Sequence, residues 1–325
     1  MKSALRLVSF QSTRRSLKRI GLLINQQAQI IDLSHASIKK ALPDLPALES
    51  RYSNRYKNGM STLIEYFHNN TGAKLLKDLQ GIVNTAPKES LLDASKCVIH
   101  PPIIPNRNVF CVGKNYQDHI AEVNNKNKEK DGKAFEASKY CVFFTKAPQS
   151  IVGHLSKVES HSKLTKWLDY EAELAVIIGK KGRDISLADA NQYIFGYTIA
   201  NDITARDLQK SHHQFFKGKT LDTTCPLGPS VVLHSPKLDP GNLNIQLYLN
   251  NNIMQDSNTK NMIFSIPQII HQLSQGFTLY PGDVILTGTP SGVGFARNPP
   301  ITLKQGDHMR VVIENIGSLE NTISE

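Results

Sequence analysis

The sequence predicts an α+β protein that is mostly β, in two unequal parts. Two textures predict it. Residues 1–95 alternate short strands with amphipathic helices, whereas after Asn108 short β-branched apolar runs alternate with Gly, Pro and Asp turns. Between them residues 96–107, with Pro101-Pro102 and Pro105, read as a linker. The expected organisation is a small N-terminal α+β domain at 1–95, the linker at 96–107 and a large β-rich domain at 108–325.

In chain order, Leu5–Phe10 reads as a strand, and Arg19–Leu23 with Ile30–Leu33 as a hairpin around Asn25-Gln26-Gln27. The first thirty-one residues hold no acid and several Arg and Ser, the composition of a mitochondrial transit peptide. Leu48–Phe67 and Leu75–Val83 place apolar residues near helical spacing. In the larger part, strands are expected at Val109–Val112, Cys141–Phe144, Leu174–Ile178, Ile194–Ala200, Ser230–Leu233, Leu243–Leu249, Val284–Leu286 and Met309–Ile313. Helical pieces are expected at Tyr116–Val123, Thr204–His212 and Ser265–Gln275. The polar run 124–133 reads as a mobile surface loop.

Composition limits the function classes. With 40% hydrophobic and 20% charged residues the chain is an ordinary globular one, and no apolar run reaches membrane-spanning length. The net charge of +10 invites an anionic partner, but the lysines are spread thinly and no nucleic-acid motif occurs. Neither nucleic acid nor membrane is therefore expected as a partner. Cys97, Cys111, Cys141 and Cys225 stand at irregular spacings without a CxxC pair, which reads as reduced thiols in a cytoplasmic protein. The N-terminal composition keeps the mitochondrial matrix open.

The chemistry concentrates in Asp169–Gly179, where Glu171 and Glu173 precede a near-continuous apolar run, the mark of a buried strand. Alternation puts the two glutamates on one face, with Cα atoms about 7 Å apart. Carboxylates crowded at the mouth of a buried strand repel each other and lose hydration, and a divalent cation relieves both costs. The alternative is a solvated strand end. A second apolar strand ends in Asp202, which reads either as a third ligand or as the cap of the helix after it. Three carboxylates with no His or Cys suit Mg²⁺ or Mn²⁺, with Ca²⁺ able to substitute.

His119 and Glu122, three apart on a helix, can pair as a base and its orienting acid, or as a surface ion pair. Lys219, beside Gly218, can stabilise a developing enolate or stand as a solvated loop lysine. Thr287–Gly292 is a Gly-rich loop able to offer N–H groups and Thr289 to a carboxylate, and it lacks the Gly-Lys-Ser/Thr ending of a phosphate loop.

In order, CVGKNYQDHIAE, DYEAELAVIIGK, FGYTIANDITARDLQ, FKGKTLDTTCPLGP and SQGFTLYPGDVILTGTPSGVG resemble the catalytic domain of the fumarylacetoacetate hydrolase family, across residues 104 to 323. LNNNIMQDSNTKNMIFSI looks like the family's substrate-proximal hairpin and helix. The resemblance implies the family's β-rich C-terminal-type fold and a homodimer. It implies metal ligands Glu171, Glu173 and Asp202, and catalytic groups His119, Glu122 and Lys219. It also implies substrate contacts from Tyr116, Arg206, Gln209 and Thr289. Val112-Gly113-Lys114 lacks the acid that larger members carry there, which points to the smaller three-carboxylate class.

The implied activity is Mg²⁺- or Mn²⁺-dependent hydrolysis of a C–C bond in a small anionic 2,4-dioxo acid, an acylpyruvate or fumarylacetoacetate-like compound, as in the catabolism of aromatic compounds. His119 with Glu122 would activate water, and Lys219 would support the enolate. The same site would serve isomerisation or hydration of hydroxy-dienedioic acids, or decarboxylation of oxaloacetate.

Overall fold

The computed structural model describes residues 4–13, 16–41, 49–50, 59–70, 72–131 and 138–325. One large twisted sheet organises them. Its central path runs Leu91–Asp93, Gln29–Asp32, Lys18–Ile24, Arg6–Gln11, Cys225–Leu233, Ile194–Asn201, Ala172–Ile178, Val284–Leu286, Val109–Gly113, Val142–Lys146. The Arg6–Gln11 strand pairs antiparallel with Cys225–Leu233, Leu7 opposite Val231, so the N-terminal strands continue the sheet of the larger part.

The central strands are buried on both faces. Every residue of Ala172–Ile178 and of Ile194–Asn201 is buried. Alternate side chains enter two different cores: Leu174, Val176 and Ile178 pack on one face, Ala175 and Ile177 on the other. The second core is closed by the helices Gly59–Asn69 and Gly72–Thr85, through Leu63, Ile64, Phe67, Leu75 and Leu79. Phe67 meets Phe195 edge to face with ring centroids 5.5 Å apart. The first face is covered by a five-stranded sheet of Lys157–Glu159, Gly317–Ser324, His308–Ile313, Asn244–Leu249 and Asn252–Asn258.

The mostly-β architecture follows the sequence, and each of the eight expected strands of the larger part is present. The N-terminal hairpin pairs as Leu22 opposite Ile31. Residue 48 and residues 51–58 of the first helical expectation, and 132–133 of the polar run, lie outside the described residues. Glu49–Ser50 and Thr204–Ala205 are strands where helix was expected, and the expected linker holds the strand Val98–His100, paired with Arg6–Gln11. Residues 124–131 belong to a helix, Gln117–Asp131, not to a loop. High polarity was read as loop, yet Lys and Glu are good helix formers. Cys111, Cys141 and Cys225 are buried thiols, and Cys97 is half-buried. No helix among the described residues is long and apolar enough to cross a membrane.

Candidate active site

The antiparallel ladder of Ala172–Ile178 and Ile194–Asn201 pairs Ala172 with Asn201 and Glu173 with Ala200. It continues one step further, where the Asp202 N–H donates to the Glu171 carbonyl at 2.8 Å. Asn201 Oδ1 accepts from the Glu171 N–H at 2.9 Å. Adjacent strand ends thus bring three acids together. One oxygen from each of Glu171, Glu173 and Asp202 lies within 4.8 Å of the others, and all three residues are buried.

Three cations answer them. Lys219, 2% exposed, donates to Glu171 Oε2 at 2.6 Å and to Asp202 Oδ2 at 2.7 Å. Sequence alone left it on a loop; a short helix, Phe216–Lys219, carries it instead. Gly218 lets that helix press on its neighbour, since a Cβ there would sit 2.5 Å from the Gln209 nitrogen. Arg206 reaches Asp169 through Nε at 2.9 Å and Glu171 Oε1 through Nη2 at 2.6 Å, with its guanidinium 4.4 Å from the Phe295 ring centre. Lys146 lies 2.9 Å from Asp202 Oδ1.

The charges do not balance. Asp169, Glu171, Glu173 and Asp202 are four buried acids against the three cations, and Glu173 is the one without a cation among the described residues. Its one hydrogen bond among the described residues is from the Gly288 N–H, at 2.6 Å. Burial, with Asp202 and Glu171 repelling it, pushes the Glu173 carboxyl well above its ordinary range. Burial would do the same to Glu171, but Lys219 and Arg206 hold it below the usual range. Burial would lower Lys219, and Asp202 and Glu171 raise it instead. A buried carboxylate lacking positive charge, beside two more within chelating distance, fits a hard divalent cation.

The helix Gln117–Asp131 lies over this wall. His119 is 8% exposed, with Nδ1 3.5 Å from Glu122 Oε2, so the two side chains face each other without a hydrogen bond. Glu122 accepts the Gly292 N–H at 3.0 and 3.1 Å, and Asp118 accepts the Ser291 hydroxyl at 2.9 Å. The Gly-rich loop was expected to give its N–H groups to a ligand. Gly288 and Gly292 spend them on Glu173 and Glu122 instead, fixing the ligand strand and the helix from one loop.

A cavity of about 940 Å³ opens between helix and sheet, and His119, Glu171, Glu173, Arg206, Gln209, Lys219 and Thr289 all line it. Tyr116 does not: it is fully buried, burial raises its phenol, and its hydroxyl has no partner among the described residues. Sequence reasoning missed Asp169, Lys146 and Gln255. Gln255 accepts from the Ala172 N–H and donates to Thr289 Oγ1, tying strand to loop at 2.9 and 2.8 Å. Asp169 accepts the Gly294 N–H at 2.7 Å. An acid before a ligand strand was the available signal for Asp169; nothing local marks the other two.

Comparison places this geometry among known proteins. Residues 108–324 match the family model described as fumarylacetoacetate (FAA) hydrolase, C-terminal. The chain is 48% identical over 230 residues to oxaloacetate tautomerase YisK of Bacillus subtilis, covering 70% of this chain and 74% of that protein. A fumarylacetoacetate hydrolase structure from Exiguobacterium antarcticum superposes with TM-score 0.77 at 37% identity, covering 99% of both chains. A 2-hydroxyhepta-2,4-diene-1,7-dioate isomerase from Mycobacterium marinum gives 0.67 at 26% identity, covering 99% of this chain and 98% of the other.

Proposed function

The chain belongs to the fumarylacetoacetate hydrolase family, and on that footing we propose that it is a divalent-cation-dependent enzyme that moves a proton beside the 2-oxo group of a small anionic oxo acid. Keto–enol tautomerisation of oxaloacetate is the reaction that its 48% identical relative is named for. The observation that carries this reading is Lys219 set between Glu171 and Asp202, in a cavity that His119 also lines. One group can hold enolate charge while the other handles a proton.

Glu171, Glu173 and Asp202 would hold Mg²⁺ or Mn²⁺, which when bound supplies Lewis-acid charge to the carboxylate and 2-oxo oxygens. Lys219 offers its ammonium to the oxygen that becomes the enolate. Arg206, with Gln209 3.3 Å from its Nη1, orients the carboxylate end. His119 takes the proton from the carbon between the two carbonyl groups and returns it to the enolate oxygen. The C–H bond breaks, an O–H bond forms, and no co-reactant is consumed. Glu122 steadies the imidazolium between the two transfers. The helix Gln117–Asp131, pinned by Ser291 and Gly292, keeps bulk water from the enolate.

C–C hydrolysis of a 2,4-dioxo acid is the second reading. It needs room for water and a distal carbonyl, and the 940 Å³ cavity favours it. There His119 would take its proton from water instead of carbon. Both readings are separated by following oxaloacetate and acetylpyruvate in deuterated water by NMR, with and without Mg²⁺. Ion-dependent deuterium at the carbon beside the 2-oxo group, without fragments, supports tautomerisation. Pyruvate with acetate supports hydrolysis. Rates equal to buffer for every acid would sink both.

A further inference from the structure

The cavity is too large for the acid head that the polar wall would hold. Its volume is about 940 Å³ even though Ser291 and Gly292 already tie the covering helix down. Cavities of roughly 300–1,000 Å³ accommodate drug-sized ligands, and a four-carbon diacid would leave most of this one empty.

The space beyond the head has a distinct chemistry. Beside Glu171, Glu173, Arg206 and Lys219, the apolar side chains Val112, Phe144, Trp167 and Phe215 line the same cavity, and Phe295 stacks on Arg206. Phe144 and Phe215 meet edge to face with centroids 5.6 Å apart, and both rings are half-buried. Lys219 Nζ lies 5.0 Å from the Phe144 ring centre, so the aromatic pair begins directly beside the ammonium assigned to the enolate. Gly113, which also lines the cavity, leaves this corner open: a Cβ there would lie 3.6 Å from Phe144 and 3.7 Å from Phe215.

We infer that the site takes 2-oxo acids whose far end is an apolar, preferably aromatic, acyl group, seated against Phe144 and Phe215; this rests on the enolisation reading above. A terminal carboxylate would lose its hydration against those rings. Lys114, Lys210 and His213 also line the cavity; Lys210 and His213 are exposed and well hydrated, so they screen rather than bind, and the half-buried Lys114 is already engaged in an interaction of its own. An aromatic substituent gains both buried area and edge-to-face contact.

The test uses the full-length enzyme with Mg²⁺ and four acids: oxaloacetate, acetylpyruvate, succinylpyruvate and benzoylpyruvate. Turnover is followed by NMR and binding by calorimetry. Benzoylpyruvate is expected to exceed oxaloacetate in kcat/KM by about 10–100-fold. Gly113→Val, which fills the corner, and Phe215→Ala, which removes one ring, should each lower that ratio by about tenfold. General damage to the fold would lower both substrates and leave the ratio alone. If succinylpyruvate outranks benzoylpyruvate, or neither variant moves the ratio, the inference is overturned while oxaloacetate turnover still supports the enzyme reading. If no acid turns over, the enzyme reading falls. Tight benzoylpyruvate binding that Gly113→Val weakens would then still support the aromatic seat, and its absence would overturn that too.

Discussion

Lys146 Nζ lies 2.9 Å from Asp202 Oδ1, and neither side chain has exposed surface. The ammonium also donates to the Ile203 carbonyl at 3.0 Å, which holds the turn after the second ligand strand. Lys146→Met would leave that side of a buried carboxylate without its cation. The expected cost is about 3 kcal/mol in ion-free protein, since breaking a buried pair strands a charge. Urea unfolding with chelator present measures it. A loss within error of zero would mean that Lys219 alone satisfies Asp202.

Glu173 gives a prediction of the opposite sign. It is 1% exposed and meets no cation among the described residues. Glu173→Gln should therefore raise the stability of ion-free protein while abolishing the gain that Mg²⁺ or Mn²⁺ gives the wild type. At about a hundredfold excess over Kd that gain is about 2.7 kcal/mol. Thermal melts with and without ion, for both proteins, read the two effects separately. A wild type whose melting point ignores both ions would remove the metal centre from the account.

His119 is expected to work on protons and not on the ion. His119→Asn should lower kcat by about 10²–10⁴-fold, the usual worth of a positioned acid–base group. Ion affinity by calorimetry should stay as in the wild type. Near-normal turnover would transfer the proton-handling role to another group.

These residues differ in how much of them could be read from the chain. Glu171 and Glu173 were legible because a period of two and a following apolar run fix their face. Asp202 was legible as the acid ending the neighbouring strand, and its alternative as a helix cap is excluded because the following helix, Arg206–Ser211, has Ala205 at its N-cap. Lys146 was not legible: it ends a strand that is far from Asp202 in sequence and not paired with Ile194–Asn201 in the sheet, so no local pattern or strand pairing announces their contact. Gln255 hides for the same reason, as a polar residue on a polar strand whose partners lie 83 and 34 positions away. The helix Gln117–Asp131 was cut short because polarity was weighed above helix propensity. The Gly317–Ser324 strand was missed although Leu319 and Ile323 alternate inward with Asn321 between them.

Acid should weaken the fold through histidines held neutral. Burial, with Lys18 nearby, pushes the His100 imidazole from 6.5 down to about 4. Its Nε2 sits 2.6 Å from Gln11 Oε1, joining the Val98–His100 and Arg6–Gln11 strands. Burial lowers His154 and His234 in the same direction. Below pH 6.5 the unfolded chain takes up a proton at His100 that the folded one refuses, so its contribution is complete above that pH and is lost on the way to pH 4. Urea midpoints at about pH 7.5 and about pH 5 should differ less in His100→Asn than in the wild type. Equal differences would assign the acid sensitivity elsewhere.

Gly292 couples backbone geometry to the covering helix. Its φ is +98°, and a Cβ there would stand 2.1 Å from the Met254 carbonyl oxygen. The Gly292 N–H holds both oxygens of Glu122, which lies 3.5 Å from His119 Nδ1. Gly292→Ala must shift the loop and release that carboxylate, at a backbone cost of about 1–3 kcal/mol. The consequence should appear in kcat more than in ion affinity, because Gly288 and not Gly292 contacts the ligand Glu173. Ser291→Ala is the milder control, losing one hydroxyl bond to Asp118 without backbone strain. Steady-state kinetics beside ion calorimetry on both variants decides the matter. If Gly292→Ala weakens ion binding as much as turnover, the loop acts on the metal wall as a unit, and the separate role of Glu122 is lost.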